Sequence, residues 1–258
     1  MFMEERHFEI SEIIKENGKI TISQITEKYN ISDESARRDL RILEQKGLCK
    51  RTHGGAISIG QVCVRPDPDR ELEKMPVFDN YREIAKEAAK LISPNDVIYL
   101  TGGSFGYIML SFIPEDLNFT VVVNNIDIAK ALRSYKNANV YVVGGKMRQS
   151  GSLVDTLATE FISKIHFDLC FITGGGLTLS SGLTNGTDET ASFQRAVISN
   201  SRKSCLLLSS HKIGTDSFIK VCDADVFDYI ITDWNCSEEH ISAFENEGIY
   251  FTVAEEPK

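Results

Sequence analysis

The chain has 258 residues, of which 42% are hydrophobic and 25% charged, a balance that excludes disorder and allows a small domain beside a medium-sized one. Its net charge of −9 argues at first against a nucleic-acid partner, because phosphate contacts need Lys and Arg. No run approaches the roughly 18 consecutive apolar residues of a membrane helix, and the N-terminus lacks a signal-peptide pattern, so a cytoplasmic protein with no membrane partner is expected.

The charge is unevenly spread. Residues 1–60 hold ten Lys or Arg against ten Asp or Glu, and residues 33–55 hold six against four. A basic patch of this kind is enough to hold DNA locally on an acidic protein. In the same region, Phe8, Ile10, Ile13 and Ile14 predict a first helix stopped by Asn17 and Gly18. Ile22, Ile25 and Tyr29 predict a second, with Thr21 or Ser23 as its N-cap and Asn30 near its end.

The third helix is capped by Ser32, carries Asp33 and Glu34 at the positive end of its dipole, and is expected to stop at Gly47. On a helical wheel Ala36, Leu40 and Leu43 form one stripe, while Glu34, Arg38, Arg41 and Gln45 point away from it and Arg37 lies on the flank. A short basic hairpin follows, with Gly54 and Gly55 in its turn. Lys50, Arg51 and His53 could lie along phosphates while the helix enters the major groove.

These residues carry a resemblance. Ile31-Ser32, Ser35-Ala36-Arg37-Arg38-Asp39-Leu40, Leu43-Glu44-x-x-Gly47 and Arg51-x-His53-Gly54-Gly55-Ala56 resemble the DeoR family of bacterial repressors. The resemblance implies a winged helix-turn-helix over residues 1–59. Its Arg-Arg-Asp-Leu helix would be the recognition element, and the His-Gly-Gly-Ala segment would belong to the wing. The implied contacts to a double-stranded operator are Ser32, Ser35, Arg37, Arg38, Arg41, Lys50, Arg51, His53, Gly54 and Gly55. Ala36 stands where a larger apolar residue is common in the family, a matter of packing rather than recognition.

Residues 60–76 lack periodicity and hold Pro66, Pro68 and Pro76, which predicts a linker. Beyond it, over 77–258, strand-like runs recur at 97–100, 119–123, 140–143, 169–172, 205–208, 229–231 and 249–253, most of them separated by helical patterns. The fold class is therefore α/β, with a largely parallel sheet covered on both faces in the second domain. Small and polar residues collect at the strand ends: Gly102, Gly103 and Ser104, then Asn124, Gly144, Gly145 and Lys212. In open α/β sheets ligands bind beyond the carboxyl ends of the strands, where glycines let N–H groups approach an anion, so a phosphorylated small molecule is the expected effector.

The resemblance continues through Asn124, Gly144-Gly145, Ser152-Leu153-Val154, Asp168-x-x-Phe171, Gly182-Leu183-Thr184, Lys212 and Thr232-Asp233. It implies a Rossmann-like domain similar to sugar-phosphate isomerases that senses a phosphorylated sugar. Three positions depart from the family pattern. Thr101-Gly102-Gly103-Ser104-Phe105 replaces Asp-x-Gly-Ser/Thr-Thr, Ser209 replaces an Asp three residues before Lys212, and Val123 replaces a Thr before Asn124. These changes predict a remodelled pocket, and one alternative is a regulator that has lost effector binding.

The other alternative is an isomerase-like enzyme with an accessory N-terminal domain. It is disfavoured because Thr101 and Ser209 stand where isomerisation would need a carboxylate base. No metal or cofactor is expected, since the five histidines are dispersed and Gly174-Gly175-Gly176 does not continue into a nucleotide-binding glycine pattern. The six scattered cysteines predict reduced, structural thiols. A homodimer or homotetramer is expected, because helix-turn-helix readers pair half-sites.

Overall fold

The computed structural model describes residues 3–257 except Gly18, Gly47, His53 and residues 58–77. The expected linker, the expected helix stops Gly18 and Gly47, and His53 therefore lie outside the described residues. The chain divides into two compact units, Met1–Gln61 and Val62–Lys258. None of the described helices is long and apolar enough to cross a membrane.

The first unit comprises α1 (Met3–Asn17), β1 (Lys19–Thr21), α2 (Ile22–Tyr29), α3 (Asp33–Gln45), β2 (Lys50–Thr52) and β3 (Gly55–Ile57). Thr21 begins α2 with a capping box: its hydroxyl accepts from the Gln24 N–H, and the Gln24 side chain accepts from the Thr21 N–H. Asn30 ends the same helix in the left-handed region, at φ 49°. Ser32 caps α3 through the Ser35 N–H. The hairpin β2–β3 is joined by β1, which pairs antiparallel with β3 and which the sequence pattern does not reveal.

Ile10, Ile14, Ile25, Ala36, Leu40 and Leu43 pack into the core of this unit. Phe8 differs from expectation and is 65% exposed. It lies about 200° around the helix from Ile10, and the stripe that α1 buries is His7, Ile10, Ser11 and Ile14.

Asp39 is the buried charge of this unit. Its carboxylate, 3% exposed, accepts from Arg6 Nε at 2.7 Å and Nη2 at 3.2 Å, and lies 2.9 Å from His7 Nε2. Burial alone would raise its pKa, but the hydrogen bonds from Arg6 and His7, and their charges, bring it below the ordinary carboxyl value. α3 is thus tied to α1 from the side facing away from its arginines.

The second unit is a seven-stranded sheet. Its strands are β4 (Val97–Leu100), β5 (Phe119–Val123), β6 (Ala138–Val142), β7 (Phe167–Thr173), β10 (Ser201–Leu207), β12 (Tyr229–Asp233) and β13 (Phe251–Ala254). They run in the order β13-β12-β10-β7-β4-β5-β6, every pairing parallel. All seven strands expected from the sequence are present. A separate antiparallel sheet of β8 (Gly176–Thr178), β9 (Gly182–Asn185) and β11 (Ile219–Cys222) was not anticipated.

Six helices cover the large sheet: α4 (Asp79–Ala89), α5 (Ser104–Met109), α6 (Ile126–Ala131), α7 (Thr156–Ile162), α8 (Asp188–Ser199) and α9 (Glu238–Glu245). Side chains alternate between faces along each strand. Ile98, Leu100, Val121 and Phe171 pack with Ile84 of α4 and Met109 of α5, while Tyr99, Val122 and Ile172 pack with Ala158 of α7 and Phe193 of α8. The five described cysteines are free thiols, and burial raises Cys49 to about 11 and Cys170 to about 12.

Replacing Asp39 with Asn should remove the charge that neutralises Arg6 and cost about 3 kcal/mol, the low end for a broken buried pair because Arg6 stays 15% exposed. The folded-state value is depressed, so the wild-type contribution is complete above the ordinary carboxyl value of 3.8 and fades as pH falls through the lower folded value. Thermal denaturation of both proteins between pH 3 and 7 measures this. The wild type should lose stability toward acid, and the Asn variant should lose less.

Candidate functional site

Two sets of residues need placing: the basic surface of the first unit and the strand ends of the second. In α3, Arg38 and Arg41 are exposed on the face away from Ala36, Leu40 and Leu43, Arg37 is exposed on the flank, and none of them makes an ion pair among the described residues. Ser35 is half-buried behind the cap, where its hydroxyl accepts from Ser32 Oγ at 3.1 Å. The result is a rigid helix with cationic side chains aimed outward.

Lys50 is exposed on β2, whereas Arg51 is partly engaged. Its N–H donates to Glu44 at 2.8 Å, and its guanidinium lies 3.9 Å from the same carboxylate. Gly54 is exposed, and its carbonyl accepts from the Ile22 N–H at 2.9 Å. Gly55 is buried against β1, where a Cβ would stand 2.0 Å from the Ile20 carbonyl oxygen. Packing therefore accounts for glycine at 55.

In the second unit the strand order reverses between β4 and β7. From β4 the chain steps outward through β5 and β6, then returns to β7 on the other side and steps away through β10, β12 and β13. At such a switch point the loops leaving adjacent strands diverge and open a crevice. Thr101, after β4, and Thr173, ending β7, face each other there with hydroxyls 3.4 Å apart. A Cβ on Gly103 would stand 3.6 Å from the Thr173 hydroxyl. Gly102 has no room for a side chain, since a Cβ would come 2.5 Å from Asn124 Oδ1.

Asn124 is buried and serves as a brace. Its Oδ1 accepts from the Tyr99 hydroxyl at 2.9 Å, and its Nδ2 donates to the Leu153 carbonyl at 3.0 Å. Burial pushes the Tyr99 phenol far above its ordinary value, which keeps it a donor. Asn125 holds the neighbouring loops: it donates to the Gly102 and Ser150 carbonyls, at 3.1 Å each, and caps α6. The sequence signal for that role was an Asn between a strand and a helix.

Lys212 reaches the crevice from the loop after β10, donating to the Gly174 carbonyl at 2.8 Å. Gln194 of α8 fixes the preceding residue, donating to the Thr173 carbonyl at 2.7 Å. Gly102, Gly103, Ser104, Asn124 and Lys212 therefore gather around β5, β4, β7 and β10. Gly144 and Gly145 follow the edge strand β6, four strands from β10, or about 19 Å at the usual strand spacing. Gly145, at φ 143°, is explained by Asp155, whose Oδ1 would stand 2.2 Å from a Cβ.

The departures from the family pattern also have places. Phe105 is buried in the core, its ring stacked on Tyr81 of α4 at 4.6 Å and 7°. Ser209 is fully buried, with its hydroxyl 3.5 Å from the Tyr81 hydroxyl and 3.5 Å from His211 Nε2. Asp233, also fully buried, accepts from the Ser210 N–H at 2.8 Å, the Asn235 N–H at 3.1 Å and Asn80 Nδ2 at 3.2 Å.

Comparison with known proteins agrees with this arrangement. A model of the DeoR-like helix-turn-helix domain matches residues 6–62, and a model of the DeoR C terminal sensor domain matches residues 79–234. The HTH-type transcriptional regulator GolR of Listeria innocua is 29% identical, with 99% of this chain and 100% of that one aligned. The lactose phosphotransferase system repressor of Staphylococcus aureus is 29% identical, over 91% of this chain and 94% of that one. Among solved structures, ribose 5-phosphate isomerase A of Methanocaldococcus jannaschii is 16% identical with a TM-score of 0.38, covering 52% of this chain and 53% of that one. With a helix-turn-helix unit and a sensor unit each matched along most of its length, the chain belongs to the DeoR family of transcriptional regulators.

Proposed function

We propose that the protein represses genes of carbohydrate metabolism by binding an operator as a homodimer or homotetramer, and that a phosphorylated sugar in the switch-point crevice controls this binding. The observation that carries the reading is the exposed arginine surface of α3, with Arg38 and Arg41 away from a fully buried stripe and Arg37 on its flank, none of them in an ion pair among the described residues. An α-helix fits the major groove, and Arg pairs bidentately with guanine. Ser32, Ser35, Lys50, Arg51 and Gly54 would then contact phosphates or set the docking angle.

A relative named as the repressor of a sugar phosphotransferase system, similar along 91% of this chain, supports carbohydrate metabolism as the regulated process. The crevice supports a phosphorylated ligand. Gly103 and Ser104 offer N–H and hydroxyl groups, and Lys212 offers charge, across the switch point. An isomerase is the less favoured reading, because Thr101 and Ser209 occupy the two loops and Asp233 is already satisfied by three donors.

Arg38→Ala should weaken operator binding by about 1–3 kcal/mol while sparing random competitor DNA. Lys50→Ala should weaken both alike and lower the salt slope by about one. Gel shifts at several fixed salt concentrations distinguish them, and two variants that bind like the wild type would overturn the reading surface. For the effector, thermal melting with glucose 6-phosphate, ribose 5-phosphate or inorganic phosphate should show stabilisation by a sugar phosphate beyond that by phosphate alone.

A further inference from the structure

The two loops proposed to hold the effector, residues 102–104 after β4 and 209–212 after β10, are separated in the sheet by β7. The first turn of α4 touches the second loop and the first turn of α5, which directly follows the first loop. Tyr81 stacks on Phe105, the residue after Ser104, at 4.6 Å. Its hydroxyl accepts from Ser209 Oγ through a long hydrogen bond of 3.5 Å. One residue earlier, Asn80 donates to Asp233 Oδ2 at 3.2 Å, and the same oxygen accepts from the Ser210 N–H at 2.8 Å. One helical turn therefore grips the start of α5, directly after the β4 loop, by a ring stack and the β10 loop by two hydrogen-bonded routes.

α4 is also the first described element after residues 58–77, the segment through which the chain runs from the first unit to the second. The geometry points to the first turn of α4 as the coupling element, with Tyr81 and Asn80 as positioning residues that convert effector binding between the β4 and β10 loops into a change in DNA affinity. This rests on the effector reading above. A ligand spanning the two loops fixes their spacing, and Tyr81, which meets both sides, and Asn80, which holds the β10 side through Asp233, cannot stay indifferent to that spacing. The ligand shifts DNA affinity only by its differential affinity for the two arrangements. Neither residue belongs to the set proposed to touch the ligand, so removing their side chains should uncouple the sites without emptying the crevice.

The test uses the full chain and the genomic fragment it retains most tightly. The probes are glucose 6-phosphate, ribose 5-phosphate and inorganic phosphate. In the wild type, a saturating bound probe should change DNA affinity at least about fivefold, a typical lower bound for allosteric coupling. It should also slow hydrogen exchange at residues 79–89. In the double variant Asn80→Ala with Tyr81→Leu, the probe should bind within threefold of its wild-type affinity while the DNA response falls below twofold. Tyr81→Phe, which keeps the stack, should retain most of the response and guards against simple misfolding of the double variant. A full response in the double variant, or unchanged exchange at 79–89 in the probe-bound wild type, overturns the coupling role alone. Failure of every probe to bind the wild type overturns the effector reading, and the coupling role with it.

Discussion

The reversal of strand order between β4 and β7 governs the second unit. Parallel strands place all their carboxyl ends on one edge, and the reversal sends the loops from two adjacent strands in opposite directions. The Thr101 and Thr173 hydroxyls meet at this gap, and Lys212 reaches the Gly174 carbonyl beside it. Asn124 and Asn125 hold its far wall through Leu153, Gly102 and Ser150, so the loops are positioned before any ligand arrives. A crevice held in this way spends little ordering entropy on binding.

The first unit answers to a different constraint. An isolated 13-residue helix is marginal in water, so α3 depends on its apolar stripe, its Ser32 cap and the Asp39 contacts to α1 for rigidity. The acidic residue in Arg-Arg-Asp-Leu thus has a different task from its basic neighbours. Asp39 faces inward to Arg6 and His7, while Arg37 and Arg38 face solvent. A single motif carries both the anchor and the exposed arginines because helical geometry sends successive residues to different sides.

Much of this was legible in the sequence because it depends on local rules. The caps Thr21 and Ser32, the left-handed Asn30 and all seven strands of the large sheet follow from residue chemistry and hydrophobic period. What was not legible depends on distant neighbours. β1 and the sheet β8–β9–β11 consist of strands of three or four residues broken by Lys, Gly, Thr or Asn, unlike the unbroken apolar run of β4. Phe8 counts as apolar in a pattern yet lies on the outer side of α1. Strand order is invisible along the chain, so the sequence does not show that Gly144 and Gly145 follow a strand beside that of Asn124 but four strands from β10, which leads to Lys212. The partners of Asp39 stand 32 and 33 residues away, beyond any local pattern.

The two units also divide the labour of change. Among the described residues, the apolar core of the first is built from residues between Ile10 and Ala56, and those of the second from residues between Tyr81 and Ala254. A substitution among the exposed residues of α3 therefore changes no residue of the described cores of the second unit. A lineage built on this plan can vary the side chains of one core while the residues of the other stay the same.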